Sequence, residues 1–120
     1  MAARPTSVQL NDELGVVRSW SALATPDGAV AYVAFFRNTL LPQLRRIPGH
    51  RGALVLRRPV GDGIEITVLT FWESMDAVKR FAGDPPDRAV VEPEARALLL
   101  SFDKHVKHLA IGLTSLAPEP

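Results

Sequence analysis

The sequence predicts an α+β domain in which a four-stranded antiparallel sheet carries helices on one face, in the order βαββαβ. Three observations lead there. Ile64, Ile66, Val68 and Thr70 alternate with Glu65, Thr67, Leu69 and Phe71, and a period of two marks a strand. That run passes through Trp72 straight into a helix, where Ser74 is placed to cap the first N–H groups and Asp76 faces the positive helix end. Finally, Gly61-Asp62-Gly63 is short enough to join neighbouring antiparallel strands.

The other elements follow in order. Residues 1–14 are polar, show no sustained period and are expected to form a flexible arm. Gly15 to Leu23 reads as the first strand, with Val16, Arg18, Trp20 and Ala22 on one face. Thr25 suits an N-cap and Pro26 the first helical position. From there to Arg46, Val30, Val33, Leu40, Leu41 and Leu44 recur at helical spacing together with Tyr32, Phe35 and Phe36, and Pro42 predicts a kink near Leu41. Pro48-Gly49 and Gly52 punctuate a turn, after which Ala53 to Pro59 is the second strand. Gly83 and the Pro85-Pro86 pair stop the helix that follows the third strand. Residues 87–102 read as partly helical, with Pro93 in a first turn and Ala95, Leu98, Leu99 and Phe102 as the apolar stripe. Val106 to Leu113 is the last strand, and 114–120 is expected to be a disordered tail. Residues 15–113 thus form one domain with the order of the ferredoxin-like split βαβ unit.

A chain of 120 residues is long enough for one real core and short for more. A net charge of +1 gives no broad attraction to nucleic acid or an anionic membrane, and Arg45-Arg46 and Arg57-Arg58 read as solvated rims. With no cysteine there is no disulfide framework, thiolate nucleophile or cysteine-ligated metal. No apolar run approaches the ~20 residues of a membrane span and no basic-then-apolar leader opens the chain, which points to the cytoplasm. His105 and His108 lie three apart on or beside a strand, face opposite ways and cannot share a metal.

Apolar residues occupy both registers of the strands. Leu69 and Phe71 stand opposite Ile66 and Val68, and Leu109 and Ile111 opposite Val106 and Ala110. Helices cover one face only, so the second apolar face asks for another sheet. A homodimer, two sheets packed into a shared α+β barrel, is the economical solution.

Several motifs together resemble the antibiotic biosynthesis monooxygenase-like family of dimeric α+β barrels, over nearly all of residues 15–112. They are Arg18-x-Trp20, Leu41-Pro42, Pro48-Gly49-x-x-Gly52, Arg57-Arg58, the block Phe71-Trp72-Glu73-Ser74-x-Asp76-Ala77-Val78, Phe81-Ala82-Gly83, Ala89-Val90-Val91 and Val106-x-His108. The resemblance implies a dimeric barrel and a small-molecule site near the Trp72 corner. It does not choose a reaction, since members include cofactor-free oxygenases, haem-degrading enzymes and proteins of unassigned activity. The haem-degrading pattern fits poorly. Its strand Asn, helix Trp and axial His fall near Arg18 or Ser19, on Phe81 and near Val91, and no histidine lies between His50 and His105.

The resemblance therefore leads to a cofactor-independent monooxygenase acting on a small aromatic or polyketide-like substrate with O2, and no cofactor is expected. An electron-rich phenol or hydroquinol reduces O2 itself once deprotonated, so the protein has only to bind the ring, take a proton and stabilise the anion. A neutral histidine suits the proton transfer near pH 7, and His108, on the last strand between small neighbours, is the candidate base. Arg18 is the candidate partner for a phenolate or peroxide, and Trp20, Phe36, Trp72 and Phe81 are candidates for the apolar wall. Each has a structural counterpart: a satisfied buried histidine, an Arg18–Glu65 pair across strands, and a corner filled by Trp72. His50, beside a Pro-Gly turn, is expected at the surface. Two readings of other classes stand beside the enzyme: a dimeric module binding a small apolar ligand without turnover, and an accessory interaction barrel with its interior filled.

Overall fold

The structure, a computed structural model, describes residues 8–116. Residues 1–7 of the expected arm and 117–120 of the expected tail lie outside the described residues. The chain runs β1 (Val16–Ala24), α1 (Pro26–Phe35), a π-helical turn (Phe36–Leu40), α2 (Leu41–Leu44), β2 (His50–Val60), β3 (Gly63–Trp72), α3 (Met75–Ala82), α4 (Pro93–Arg96), β4 (Ser101–Phe102) and β5 (Lys107–Ala110). The sheet is antiparallel in the order β2-β3-β1, and β4 and β5 both pair with the outer edge of β1, at its two ends. This is the ferredoxin-like α+β fold with helices on one face, as the element order requires. Among the described residues no helix is long and apolar enough to cross a membrane.

Local chemistry explains the element ends. The Thr25 hydroxyl accepts from Gly28 N, with Pro26 opening α1. Ser74 Oγ accepts from Ala77 N at the start of α3, and Asp12 Oδ2, from far back in the chain, accepts from Met75 N at 2.9 Å. The second half of the expected arm is therefore tied to the helix it precedes by some sixty residues. Gly83, at φ 76°, ends α3 in a conformation that glycine reaches without a Cβ penalty. Pro42 does break the long helix, as expected, but through a π-turn. Lacking an N–H, it cannot close the usual bond to Asn38, and the register slips so that Leu41 N reaches back to Phe36 O.

The last third of the chain departs from the sequence reading. The helical stretch is only Pro93–Arg96, Phe102 belongs to β4 instead of a helical stripe, and the last strand is the four residues Lys107–Ala110. After two tight turns closed by Leu98 N to Ala95 O and Leu99 N to Arg96 O, Leu100 N donates to Leu23 O and Asp103 N to Ser21 O. The edge of β1 takes the backbone away from the helix. A short apolar run such as Leu98-Leu99-Leu100 carries no period to reveal this.

Val16, Ile66, Trp72, Ala77 and Val78 are completely buried between the sheet and the helices. On the opposite face Leu54, Leu56 and Leu109 remain 49%, 46% and 51% exposed, beside the half-buried Val17, Leu69 and Phe71. Arg18 and Glu65 fall on opposite faces and do not pair. Glu65 instead meets Arg58 across the β2–β3 hairpin, Nε to Oε1 2.7 Å, at the surface.

Candidate functional site

β1 and β3 pair with Arg18 opposite Thr70 and Trp20 opposite Val68, so these four side chains form one floor on the helix side of the sheet. Tyr32 and Phe36, one helical turn apart, and then Leu40 and Leu44 supply a wall. Phe81 from α3 closes one end, and Val90, Val91, Glu92 and Ala95 from the connection before and into α4 form a cover. These groups line a partly open cavity of about 60 Å³. The lining residues are apolar or aromatic except for Arg18, Thr70 and Glu92, with Tyr32 as the aromatic that carries a hydroxyl.

Arg18 is the dominant charge. Its side chain is buried, the residue being 5% exposed, and burial draws its pKa down to about 10 against the opposing influence of Asp87. It remains a cation at neutral pH. Its Nη1 donates to Pro86 O and, at 3.0 Å, to His108 Nε2; Nη2 donates to Arg88 O at 2.8 Å. No carboxylate bonds to it: among the described residues the ion pair is Arg58–Glu65. Arg18 is held by two backbone carbonyls of the cover and by an imidazole, with Phe81 stacked under it at 5.6 Å. A guanidinium has five N–H donors, so some remain for a ligand.

The bond to His108 assigns its proton. A guanidinium only donates, so Nε2 is the acceptor and the neutral ring carries hydrogen on Nδ1. Burial first, and then the Arg18 cation, hold the His108 pKa below its ordinary value, opposed by Asp87. His50 is held low as well, by burial and then Arg45, against a backbone hydrogen bond at Gly52. Far from a free surface residue, His50 packs edge-on against Trp72 with ring centroids 5.1 Å apart, and its Nε2 is buried with no partner among the described residues. Both imidazoles therefore resist a proton that the unfolded chain accepts at about pH 6.5. Stability should be flat above that pH, fall as pH drops through it, and level off below the folded values. Thermal melts from about pH 7.5 to pH 5.5 check this, and a His50→Asn, His108→Gln double variant should flatten the slope. An unchanged slope in that variant would assign the acid sensitivity elsewhere.

Of the six residues the sequence nominates, Arg18, Trp20, Phe36 and Phe81 meet at the cavity. Trp72 and His108 stand one layer behind. Trp72 is fully buried, stacks on Phe81 at 5.6 Å and donates its Nε1 to Thr70 Oγ1 at 2.8 Å. It thereby leaves the Thr70 hydroxyl proton free to point at the cavity. Trp20 is tied by Nε1 to Asp103 O at 2.8 Å and lies 6.0 Å from the Tyr32 ring. Tyr32, Thr70 and Glu92 were not singled out by sequence. The i, i+4 spacing of Tyr32 and Phe36 was a usable signal for the first; Glu92, on an irregular segment, offered none. Among the described residues no three histidine or acidic side chains are gathered to hold a metal.

No protein-family model and no curated protein sequence matches the chain. Solved structures do match its fold. One is a proposed antibiotic biosynthesis monooxygenase from Bacillus cereus, with TM-score 0.62 and 15% identity over 88% of this chain and 98% of that one. Another is the monooxygenase ActVA-Orf6 of Streptomyces coelicolor in complex with nanaomycin D, with TM-score 0.55 and 21% identity over 88% and 93%. A third is the haem degrader MhuD of Mycobacterium tuberculosis with two haems in its active site, with TM-score 0.54 and 22% identity over 83% and 98%. Since one backbone serves both chemistries at such low identity, the likeness establishes the fold, that of antibiotic biosynthesis monooxygenase structures, and leaves the reaction to the residues of the cavity.

Proposed function

We propose that the protein is a small monooxygenase-like enzyme that works without a cofactor, taking a flat aromatic or polyketide-like molecule and O2 into the cavity between sheet and helices. One observation carries the reading. A buried guanidinium to which no carboxylate of the described residues is hydrogen-bonded, Asp87 acting only through its charge, faces an aromatic-walled cavity, and an anion bound there would stabilise it directly. A phenolate or enolate fits that need. The fold of the neighbours, one of which is a monooxygenase holding the ligand nanaomycin D, agrees with it.

Arg18 lowers the pKa of a bound phenol or enolisable ketone by stabilising its anion. As the guanidinium turns towards that oxygen it leaves His108 Nε2, whose freed lone pair can take the proton. For a substrate with a reactive CH2, the anion gives its electrons to O2, forming a carbon hydroperoxide. Loss of water yields the carbonyl, one oxygen atom going to product and the other to water. The substrate's four-electron oxidation balances the reduction of O2. His108, held below its ordinary pKa, is neutral at pH 7 and ready to accept.

The cavity is partly open and smaller than the ~150 Å³ in which an engineered site binds benzene, so a ring would have to displace part of the cover or extend out of the opening. The attachments of the cover permit displacement: α4 has only four residues, and the carbonyls of Pro86 and Arg88 are held by Arg18 itself. Binding without turnover is the second reading, favoured by the position of His108 behind Arg18. Oxygen uptake by the metal-free protein with anthrone- or quinol-type substrates separates the two. Uptake lost in His108→Ala with the fold intact supports catalysis; saturable binding with no uptake across the panel leaves the binder.

The apolar outer face belongs to the same proposal, in which a second copy covers it to complete a cytoplasmic homodimer of residues 15–113. Light scattering should give twice the 13.1 kDa chain mass. Leu54→Glu with Leu56→Glu should yield a folded monomer or an aggregate, and a wild-type monomer at micromolar concentration would refute the two-sheet arrangement.

A further inference from the structure

Polar groups of opposite sign, Arg18 and Glu92, line the same cavity. Arg18 provides a cation beside Phe81. Trp20 lies two residues further along β1, about 7 Å at strand spacing, and the Tyr32 ring packs against it at 6.0 Å. The Tyr32 residue is 3% exposed, yet its hydroxyl makes no hydrogen bond to the described residues and is not among the sealed, unpartnered polar atoms. Tyr32 lines the cavity, so a ligand there is a candidate partner for that hydroxyl. Glu92 lines the cavity from the cover, close enough to Tyr32 for its charge to act on the phenol. Burial, and then the Glu92 charge, push the Tyr32 pKa well up, so the hydroxyl keeps its proton throughout the physiological range.

We propose that Tyr32 is the specificity residue of the cavity, donating a hydrogen bond to a neutral oxygen of the ligand while Glu92 rejects a second anion there. The ligand class that follows is a two-ended one: a flat monoanion whose charged oxygen meets Arg18 and whose opposite end carries a carbonyl or ether oxygen. A buried donor left unpaired by the wrong ligand costs more than a paired one contributes, so the discrimination falls on ligands lacking that oxygen. This inference rests on the reading that the cavity takes a small aromatic ligand.

Calorimetric titration of the full chain with three naphthalene probes tests it. 6-Acetyl-2-naphthoate should bind about threefold to tenfold more tightly than 2-naphthoate, the return expected from one neutral hydrogen bond. Tyr32→Phe, nearly isosteric and checked by its melting curve, should erase that advantage by weakening the acetyl compound and, with no donor left unpaired, tightening 2-naphthoate. Naphthalene-2,6-dicarboxylate should bind worse than the acetyl compound, and Glu92→Gln should narrow the gap. Arg18→Met should weaken all three. Equal affinity of wild type for the acetyl compound and 2-naphthoate, or a Tyr32→Phe variant that weakens both alike, would overturn the role of Tyr32 and leave the ligand site standing. No binding of any probe to wild type at millimolar concentration would overturn the site reading, and this inference with it.

Discussion

Trp72→Ala is expected to destabilise the protein by about 3–5 kcal/mol, a large share of what a domain of this size possesses. Trp72 has no exposed surface, and its ring is packed between His50 on one side and Phe81 on the other. Alanine would leave a void that neither neighbour can fill without abandoning its own contacts. The cavity should suffer as well, because Phe81 is positioned by the stack and itself lies under Arg18. Urea denaturation followed by circular dichroism measures the effect, with Trp20 fluorescence as a second probe. A loss below about 1 kcal/mol would mean that the strand-to-helix corner is not the organising contact of the core.

Arg18→Met should lower kcat/KM on a phenolic or enolisable substrate by about a hundredfold to a thousandfold, the range seen when a preorganised donor to a developing oxyanion is removed. Methionine keeps most of the length and apolar stem while removing the charge. It also strips the donors from Pro86 O, Arg88 O and His108 Nε2, so a modest stability loss should accompany the kinetic one. Arg18→Lys restores a charge but not the fork that reaches two carbonyls and an imidazole together, and should recover little. Because the guanidinium keeps its proton to about pH 10, the wild-type rate should show no Arg18-linked fall between pH 7 and pH 8.5. Full activity in Arg18→Met would remove the residue from the mechanism.

How far the site was legible depended on regular periodicity. Arg18, Trp20, Phe36 and Phe81 lie on strands and helices whose spacing says which way each side chain points, and all four reach the cavity. Trp72 was readable as the corner, but which side of Phe81 it occupies depends on how α3 tilts on the sheet. The interruption between β4 and β5 and the path of residues 84–100 were not readable. β4 and β5 bond to β1, more than seventy residues away, and the stretch between α3 and α4 is tied to residues 104–106 by Ala89 N to Lys104 O and Val106 N to Asp87 O, so neither leaves a local period. Glu92 enters the cavity only through that path.

By itself the sequence determined the order of strands and helices, the caps at Thr25 and Ser74, the break at Pro42 and the two-sided apolar character of the sheet. These depend on interactions between residues a few positions apart, and local pattern records them. Only the tertiary structure decided that Arg18 would be buried with no carboxylate hydrogen-bonded to it, that His108 would accept from it and stand behind it, and that Tyr32 and Glu92 would line the same cavity. Those facts arise where β1 meets segments remote in the chain, and their physical basis is the pairing of edge hydrogen bonds and the desolvation of a charge, neither of which has a sequence period.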